Sequence, residues 1–369
     1  MNDINNIFHD LNNEIFLNKK KKNLLTNKKF LLIVAILIFV FTSITVGKAF
    51  YLRNKVNNYE KEFIEITTKD SIEMIIESNQ TISDKELNKV AAEELINCIK
   101  TPPNKNELPD NVKKVINKIN NFYNESLTYF SFKYKDLYTG FTVSYNEHQK
   151  IFSASSIKAP KDIYIYEMAS LNKINLDEKL TYTRKYYNNG SGVLKNKKFN
   201  TEYTVRKLLE YSTVTSDNAA HNMLMNKYGR KNMLNFWKEK GTEAIFTKNT
   251  NWGLTNAHDA TIYMEELYNF YLKDEIYGKE LMNNFLNAYP TFLKGKNNYK
   301  VANKSGWAGT AIHDMAIIFA DNPYIVVALS NTGESNYTKY FNTANELAYE
   351  LHQEYWKYKM SLCSEIMNY

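Results

Sequence analysis

The sequence predicts an α+β domain behind an apolar N-terminal anchor. Three observations predict it: strand-type patterns stand at both ends of the region beyond Asn120, helical patterns fill the stretch between them, and 18 uncharged residues run from Phe30 to Gly47. The chain has 369 residues, 44% hydrophobic and 24% charged, so 249 residues follow Asn120 and can bury a sizeable core.

The segment Phe30–Gly47 (FLLIVAILIFVFTSITVG) is long enough for a transmembrane helix at the short end of the range. It is apolar all round and follows Lys28-Lys29 instead of a capping pattern, which argues against a core helix. Its 29-residue leading tail and the lack of a small-x-small cleavage site argue against a removed signal peptide. Six basic residues precede it (Lys19 to Lys22, Lys28, Lys29) and four follow closely (Lys48, Arg53, Lys55, Lys61). That bias predicts a single-pass cell-membrane protein with residues 1–29 in the cytoplasm and the domain outside it. Of the formal charge of +7, six Lys against Asp3, Asp10 and Glu14 place +3 in the tail and leave +4 for the rest, so no nucleic-acid partner is expected.

Residues 48–120 contain no Gly and show polar helical segments (Asn58–Ser78, Asp84–Lys100) broken by Thr101-Pro102-Pro103 and Pro109, the pattern of a helical stalk or spacer. The two cysteines, Cys98 and Cys363, cannot build a disulfide scaffold or a four-cysteine zinc site. One lies in the stalk and the other in the tail, so free thiols are expected.

From Leu127 the string LTYFSFKY, a turn at Tyr138-Thr139-Gly140 and FTVSYN predict a hairpin. IFSASSIKAPKDIYIYEMASL follows, with a helix beginning near Ser153 or Ala154. Ser155 and Lys158 are three apart and share one face of its first turn, a geometry that can pair a nucleophile with an amine base. Alone this is a weak signal, because Ser and Lys are abundant and a solvated first turn has the same pattern. Ser216-Asp217-Asn218 stands at a break between two helical patterns, where a helix N-cap is the plain alternative. Lys304-Ser305-Gly306 lies among three alternating apolar runs, where a strand end with a glycine bulge is the alternative. The helix Phe341–Trp356 aligns Phe341, Ala344, Leu347, Ala348, Leu351 and Trp356 for packing on the sheet. His221, His258 and His313 occur singly without a His-Glu-x-x-His pattern, so no metal is expected, and His313 reads as structural.

Together and in this order, Ser-x-x-Lys, Ser-Asp-Asn and Lys-Ser-Gly resemble the motif set of class A β-lactamases and penicillin-binding proteins, over roughly residues 121–369. The strings GSGVLKNKKFNTEYTVRKLLEYSTVTSDNAA and SGWAGTAIHDMAII are similar to that family in style. The resemblance implies an antiparallel five-stranded sheet built from both chain ends, flanked by helices, with an inserted helical lobe and Ser155 between the two. It implies Ser155 as acylated nucleophile and Lys158 as its base, the amine kept partly neutral by burial and by the like charge of Lys304. Ser216 would bridge the two lysines and relay a proton to the leaving nitrogen, and Asn218 would hold a substrate amide. Backbone N–H groups of Ser155 and of Trp307, one past Gly306, would meet the oxyanion, while Lys304 and Ser305 would bind the carboxylate of a β-lactam or a D-alanyl-D-alanine peptide. No cofactor is implied.

One departure stands out. Class A β-lactamases carry, on a loop after the helical lobe, a Glu with a following Asn that positions the deacylating water. Between Ala219 and Leu254 the only acidic residues here are Glu239, in the last turn of a helix stopped by Gly241, and Glu243 just beyond. Neither has Glu-x-x-Leu-Asn surroundings, and the loop IFTKNTNWGLTNAHDA is shorter than the family's. Acylation is therefore expected and fast deacylation is not. Three functions fit: a membrane-anchored β-lactamase-related serine hydrolase, a D,D-peptidase or transpeptidase on peptidoglycan stem peptides, and a non-catalytic β-lactam or wall-fragment sensor. The last would call for a larger cytoplasmic partner domain than 29 residues.

Overall fold

In the expected hairpin, β1 (Phe130–Asp136) pairs with β2 (Thr142–Tyr145) across a turn built by Asp136 and Gly140. Asp136 Oδ1 accepts the amides of Tyr138 and Thr139 at 3.1 and 2.8 Å, and Gly140 takes a φ of +75°. The computed structural model describes residues 94–125, 129–243, 252–331, 333 and 335–364. The expected cytoplasmic tail, the anchor at 30–47 and the first part of the stalk lie outside these residues. Among the described residues no helix is long and apolar enough to cross a membrane.

The remaining strands of the main sheet come from the other end of the chain: β7 (Lys300–Asn303), β8 (Gly306–Ala308), β9 (Ala311–Phe319) and β10 (Tyr324–Ser330). The order is β2-β1-β10-β9-β7, all antiparallel, and β8 pairs with the first part of β9, Gly306 opposite His313. The two-residue period of the strands divides β10 between two cores. Tyr324, Val326 and Ala328 join Phe132 and Tyr134 beneath α1 (Asp110–Asn124) and the final helix, whereas Ile325, Val327 and Leu329 join Met315 and Ile317 beneath the central helices. Both faces are covered, so β10 is buried throughout and β9 nearly so, unlike a sheet with one wet face.

Between hairpin and returning strands lie β3 (Ile151–Phe152), α2 (Lys158–Ser170), the ribbon β4 (Lys179–Tyr182) and β5 (Thr201–Thr204), α3 (Val205–Val214), α4 (Asn218–Tyr228), α5 (Lys231–Glu239), β6 (Leu254–Thr255), α6 (Ala257–Lys273) and α7 (Tyr277–Leu286). Thr204, Asp217 and Asn256 cap α3, α4 and α6 by accepting the Lys207, Ala220 and Asp259 amides.

One expectation is corrected, and described structure is found upstream of Asn121, in the helix at 94–100 and in α1. Pro109 precedes a helix as well as interrupting one, and α1 buries Val112, Val115, Ile119 and Tyr123 on one face of the domain. Cys98 and Cys363 are not the expected free thiols but a disulfide, with Cα atoms 5.8 Å apart. The reason is α8 (Tyr337–Ser364), whose 28 residues run about 42 Å, well past the expected end at Trp356. Its Glu350 and Glu354 engage Lys118 and Asn111 of α1, and Lys359 donates to Thr101 O, which brings the helix at 94–100 to Cys363.

Because Ile119 is completely buried, Ile119→Ala is predicted to cost about 2–5 kcal/mol in urea unfolding of the domain. A loss below about 0.5 kcal/mol, typical of an exposed position, would return α1 to the status of a spacer.

Candidate active site

The nucleophile candidate sits on a strained turn. Antiparallel pairing of β3 with β6 is extended by Ser153 N donating to Gly253 O at 2.9 Å, after which Ala154 enters the left-handed region with a φ of +45°. Residues Ala154–Ile157 form a 3-10 turn that passes into α2 at Lys158, so the helix expected near Ser153 starts as this tighter turn. Ser156 Oγ closes it by donating to Ser153 O at 2.6 Å.

Gly306 packs directly on that turn. A Cβ there would lie 2.8 Å from Ser156 N, 2.9 Å from Ser153 O and 3.0 Å from Ser155 N, which is the physical reason the third motif ends in glycine. His313, on the neighbouring strand, fixes the same region: its Nε2 lies 2.6 Å from Phe152 O and its Nδ1 accepts the Ser330 amide at 3.1 Å. Burial pushes its pKa down to about 4 and keeps it neutral, in the structural role expected for it.

Lys158 is fully buried, and its Nζ lies 2.6 Å from Ser216 O, 2.6 Å from Asn218 Oδ1, 3.0 Å from Ser155 Oγ and 3.1 Å from Ser216 Oγ. Two of these partners can only accept. They occupy two N–H groups, and the remaining position of the nitrogen faces two hydroxyls. A neutral amine can therefore turn its lone pair to Ser155 O–H. Burial drives the Lys158 pKa well below the usual lysine value, helped by the positive charges of Lys304 and Lys161 and opposed by Asp217 and Asp162. Lys304 Nζ, also buried, reaches Ser216 Oγ at 3.1 Å and Ser305 O at 3.1 Å, and burial lowers it to about 8. Ser216 thus stands between the two lysines, held at a φ of +54°.

The second motif is cap and site at once. Asp217 caps α4 through Oδ1 and accepts Leu194 N on Oδ2 at 2.7 Å, while Asn218 Nδ2 donates to Asn188 Oδ1 at 3.1 Å and so leaves its oxygen toward Lys158. Ser305 Oγ donates to Pro290 O at 2.7 Å, so in this structure its hydroxyl is committed to the backbone. Trp307 is 40% exposed beside Phe292 and Tyr337 and forms an aromatic wall on β8. Glu239 ends α5, and Glu243 is engaged by His148 at 2.7 Å and by Lys150 at 3.9 Å. Among the described residues no carboxylate is hydrogen-bonded to Ser155; residues 244–251 of the short loop are not among them.

Three site residues escape sequence reading. Lys161 and Asp162 form a buried ion pair of 2.8 Å one turn beyond Lys158, and Ser212 and Thr213 of α3 complete it at 2.7 to 2.9 Å. This pair ties α2 to the helix that leads into Ser216. Trp252 lays its ring 5.2 Å from Lys158 Nζ and against His221 at 4.9 Å, shielding the amine from water.

A sequence model described as the beta-lactamase enzyme family matches residues 111–355, and no curated protein matches the chain. Among solved structures, PBP-A superposes with a TM-score of 0.60 at 18% identity, over 65% of this chain and 96% of its own. A point mutant of PBP-A, solved as an acyl-enzyme complex with penicillin G, gives 0.60 at 17% identity, over 66% of this chain and 97% of its own. An ancestral class A β-lactamase from the Gram-negative lineage gives 0.55 at 17% identity, over 65% and 99%. With a family match spanning well over half its length and a β-lactamase/transpeptidase-like α+β fold, the chain belongs to the beta-lactamase enzyme family.

Proposed function

We propose that this protein is a membrane-anchored serine hydrolase that opens β-lactam-type amides through an acyl-Ser155 intermediate and releases that intermediate slowly. The observation that carries the proposal is the Lys158 amine, fully buried and 3.0 Å from Ser155 Oγ, with two N–H groups held by obligate acceptors. Lys158 takes the Ser155 proton as the hydroxyl attacks the carbonyl carbon. The carbon–nitrogen bond then breaks, and Ser216 passes a proton to the departing nitrogen, resupplied from the lysines at its two sides. Ser155 and Trp307 N–H groups receive the oxyanion, Asn218 the substrate amide, and protonated Lys304 with Ser305 the substrate carboxylate.

Release of the acyl group needs an activated water. Glu239 and Glu243 are the only carboxylates of the stretch from Ala219 to Leu254, and Glu243 is already paired with His148 and Lys150. The same feature favours a second reading, a D,D-peptidase or transpeptidase acting on peptidoglycan stem peptides. An extracytoplasmic domain held by residues 30–47 suits either substrate, and the Cys98–Cys363 disulfide is consistent with an oxidising compartment.

Stopped-flow hydrolysis of a chromogenic cephalosporin should show a stoichiometric burst and then a steady state about 10²–10⁴-fold slower, the usual worth of general-base help. Rapid multiple turnover without accumulation would refute slow release; slow lactam turnover with D-alanine release from a stem-peptide analogue would favour the peptidase. The burst rate should rise with pH as Lys158 loses its proton, since only the neutral amine is a base, and fall above about pH 8, where Lys304 loses the charge that holds the carboxylate. A lactam whose carboxylate is esterified should lack that alkaline fall. An identical fall for both would detach Lys304 from carboxylate binding.

A further inference from the structure

Glu147 and His148 in the β2–β3 turn meet His258 in the first turn of α6, with the histidine rings 4.8 Å apart. One nitrogen from each ring and one Glu147 oxygen all lie within 4.8 Å of one another. We infer that Glu147, His148 and His258 bind a divalent transition-metal ion of the zinc class, and that the ion braces the segment leading into the Ser155 turn.

The hydrogen bonds around the rings carry the inference. His258 Nε2 lies 3.2 Å from Gly241 O, a partner that can only accept, so that nitrogen carries the proton and Nδ1 the lone pair. Nδ1 lies 3.7 Å from Glu147 Oε2, the separation at which one ion could bind both atoms. His148 Nδ1 meets the Glu243 carboxylate at 2.7 Å, which commits that nitrogen as a donor and leaves Nε2 as the one a metal can use. Histidines whose second nitrogen is bonded to a carbonyl or carboxylate are the usual outer-shell arrangement of metal sites. The backbone adds a fixed tether, His258 N donating to Glu147 O at 2.9 Å. Glu147 Oε1 accepts Ser144 Oγ at 2.9 Å, while Oε2, the oxygen that faces His258, also carries the Lys133 ammonium, so a metal ion must share that oxygen with Lys133 or displace it. Two imidazoles and one carboxylate select zinc, nickel or copper over calcium or magnesium. Tetrahedral bonds of about 2.0–2.1 Å require the ligand atoms to close in, which rings at the surface can do by side-chain rotation.

The test uses the full chain in detergent, stripped with EDTA and dialysed. Titration with ZnCl2 should give one saturable site and a raised melting temperature relative to EDTA. His148→Ala and His258→Ala should each weaken binding at least tenfold while keeping the melting temperature of the metal-free protein. Unchanged binding in both variants, or no saturable binding by the unaltered chain, overturns the site. Co2+ added to the unaltered chain provides a readout that does not depend on how the variants fold: visible bands of nitrogen-bound cobalt support the site, and a featureless spectrum at saturating Co2+ contradicts it.

Discussion

The buried Lys158 amine is the constraint around which the rest of the molecule is arranged. Placing an ammonium in a dry interior costs several kcal/mol, and a second amine, Lys304, is buried on the other side of the same hydroxyl. Two full charges there would repel in a medium that screens them poorly. The arrangement is relieved when Lys158 gives up its proton and Lys304 keeps one. Ser216 Oγ then accepts from Lys304, and the Lys158 lone pair is available to a hydroxyl. On the proposed function, the same geometry that makes the burial tolerable is what activates Ser155.

Holding that arrangement requires the sheet and the lobe to be locked to each other. His313 binds the sheet to Phe152 O, Gly306 lets β8 lie against the 153–156 turn, and the Lys161–Asp162 pair fastens α2 to α3 just before Ser216. Asp314 does similar work at the far side, accepting the Phe292 and Leu293 amides and Asn303 Nδ2, with its pKa pushed up to about 6 by burial. Left-handed φ values at Ala154 and Ser216, each worth of order 1–3 kcal/mol, fall at the two hydroxyl-bearing turns that face Lys158. Packing elsewhere, on both faces of the sheet, sustains them.

Much of this was legible from local spacing. Ser155 and Lys158 are one helical turn apart, Ser216 to Asn218 are contiguous, and Lys304 to Trp307 lie on one strand connection, so each motif carries its own geometry. What stayed hidden depends on long-range assembly. Cys98 and Cys363 are 265 residues apart, and nothing local foretold that α8 would run on to Ser364. Pro109 looked like a helix stop because the apolar face of α1 has meaning only beside α8. Lys161 and Asp162 carry no local signal, because two adjacent charges in a helix are usually exposed and their partners, Ser212 and Thr213, are about fifty residues away. His258 was met as a single histidine because its neighbours come from a turn more than a hundred residues earlier.

The central claim is that Ser155 is acylated because Lys158 serves as its base. Incubation of the protein with benzylpenicillin, followed by intact mass and peptide mapping, tests it most directly. One penicilloyl adduct is predicted on the peptide containing Ser155, and none in a folded Lys158→Ala protein over the same interval. An adduct on another residue, or undiminished labelling of the Lys158→Ala protein, would contradict it.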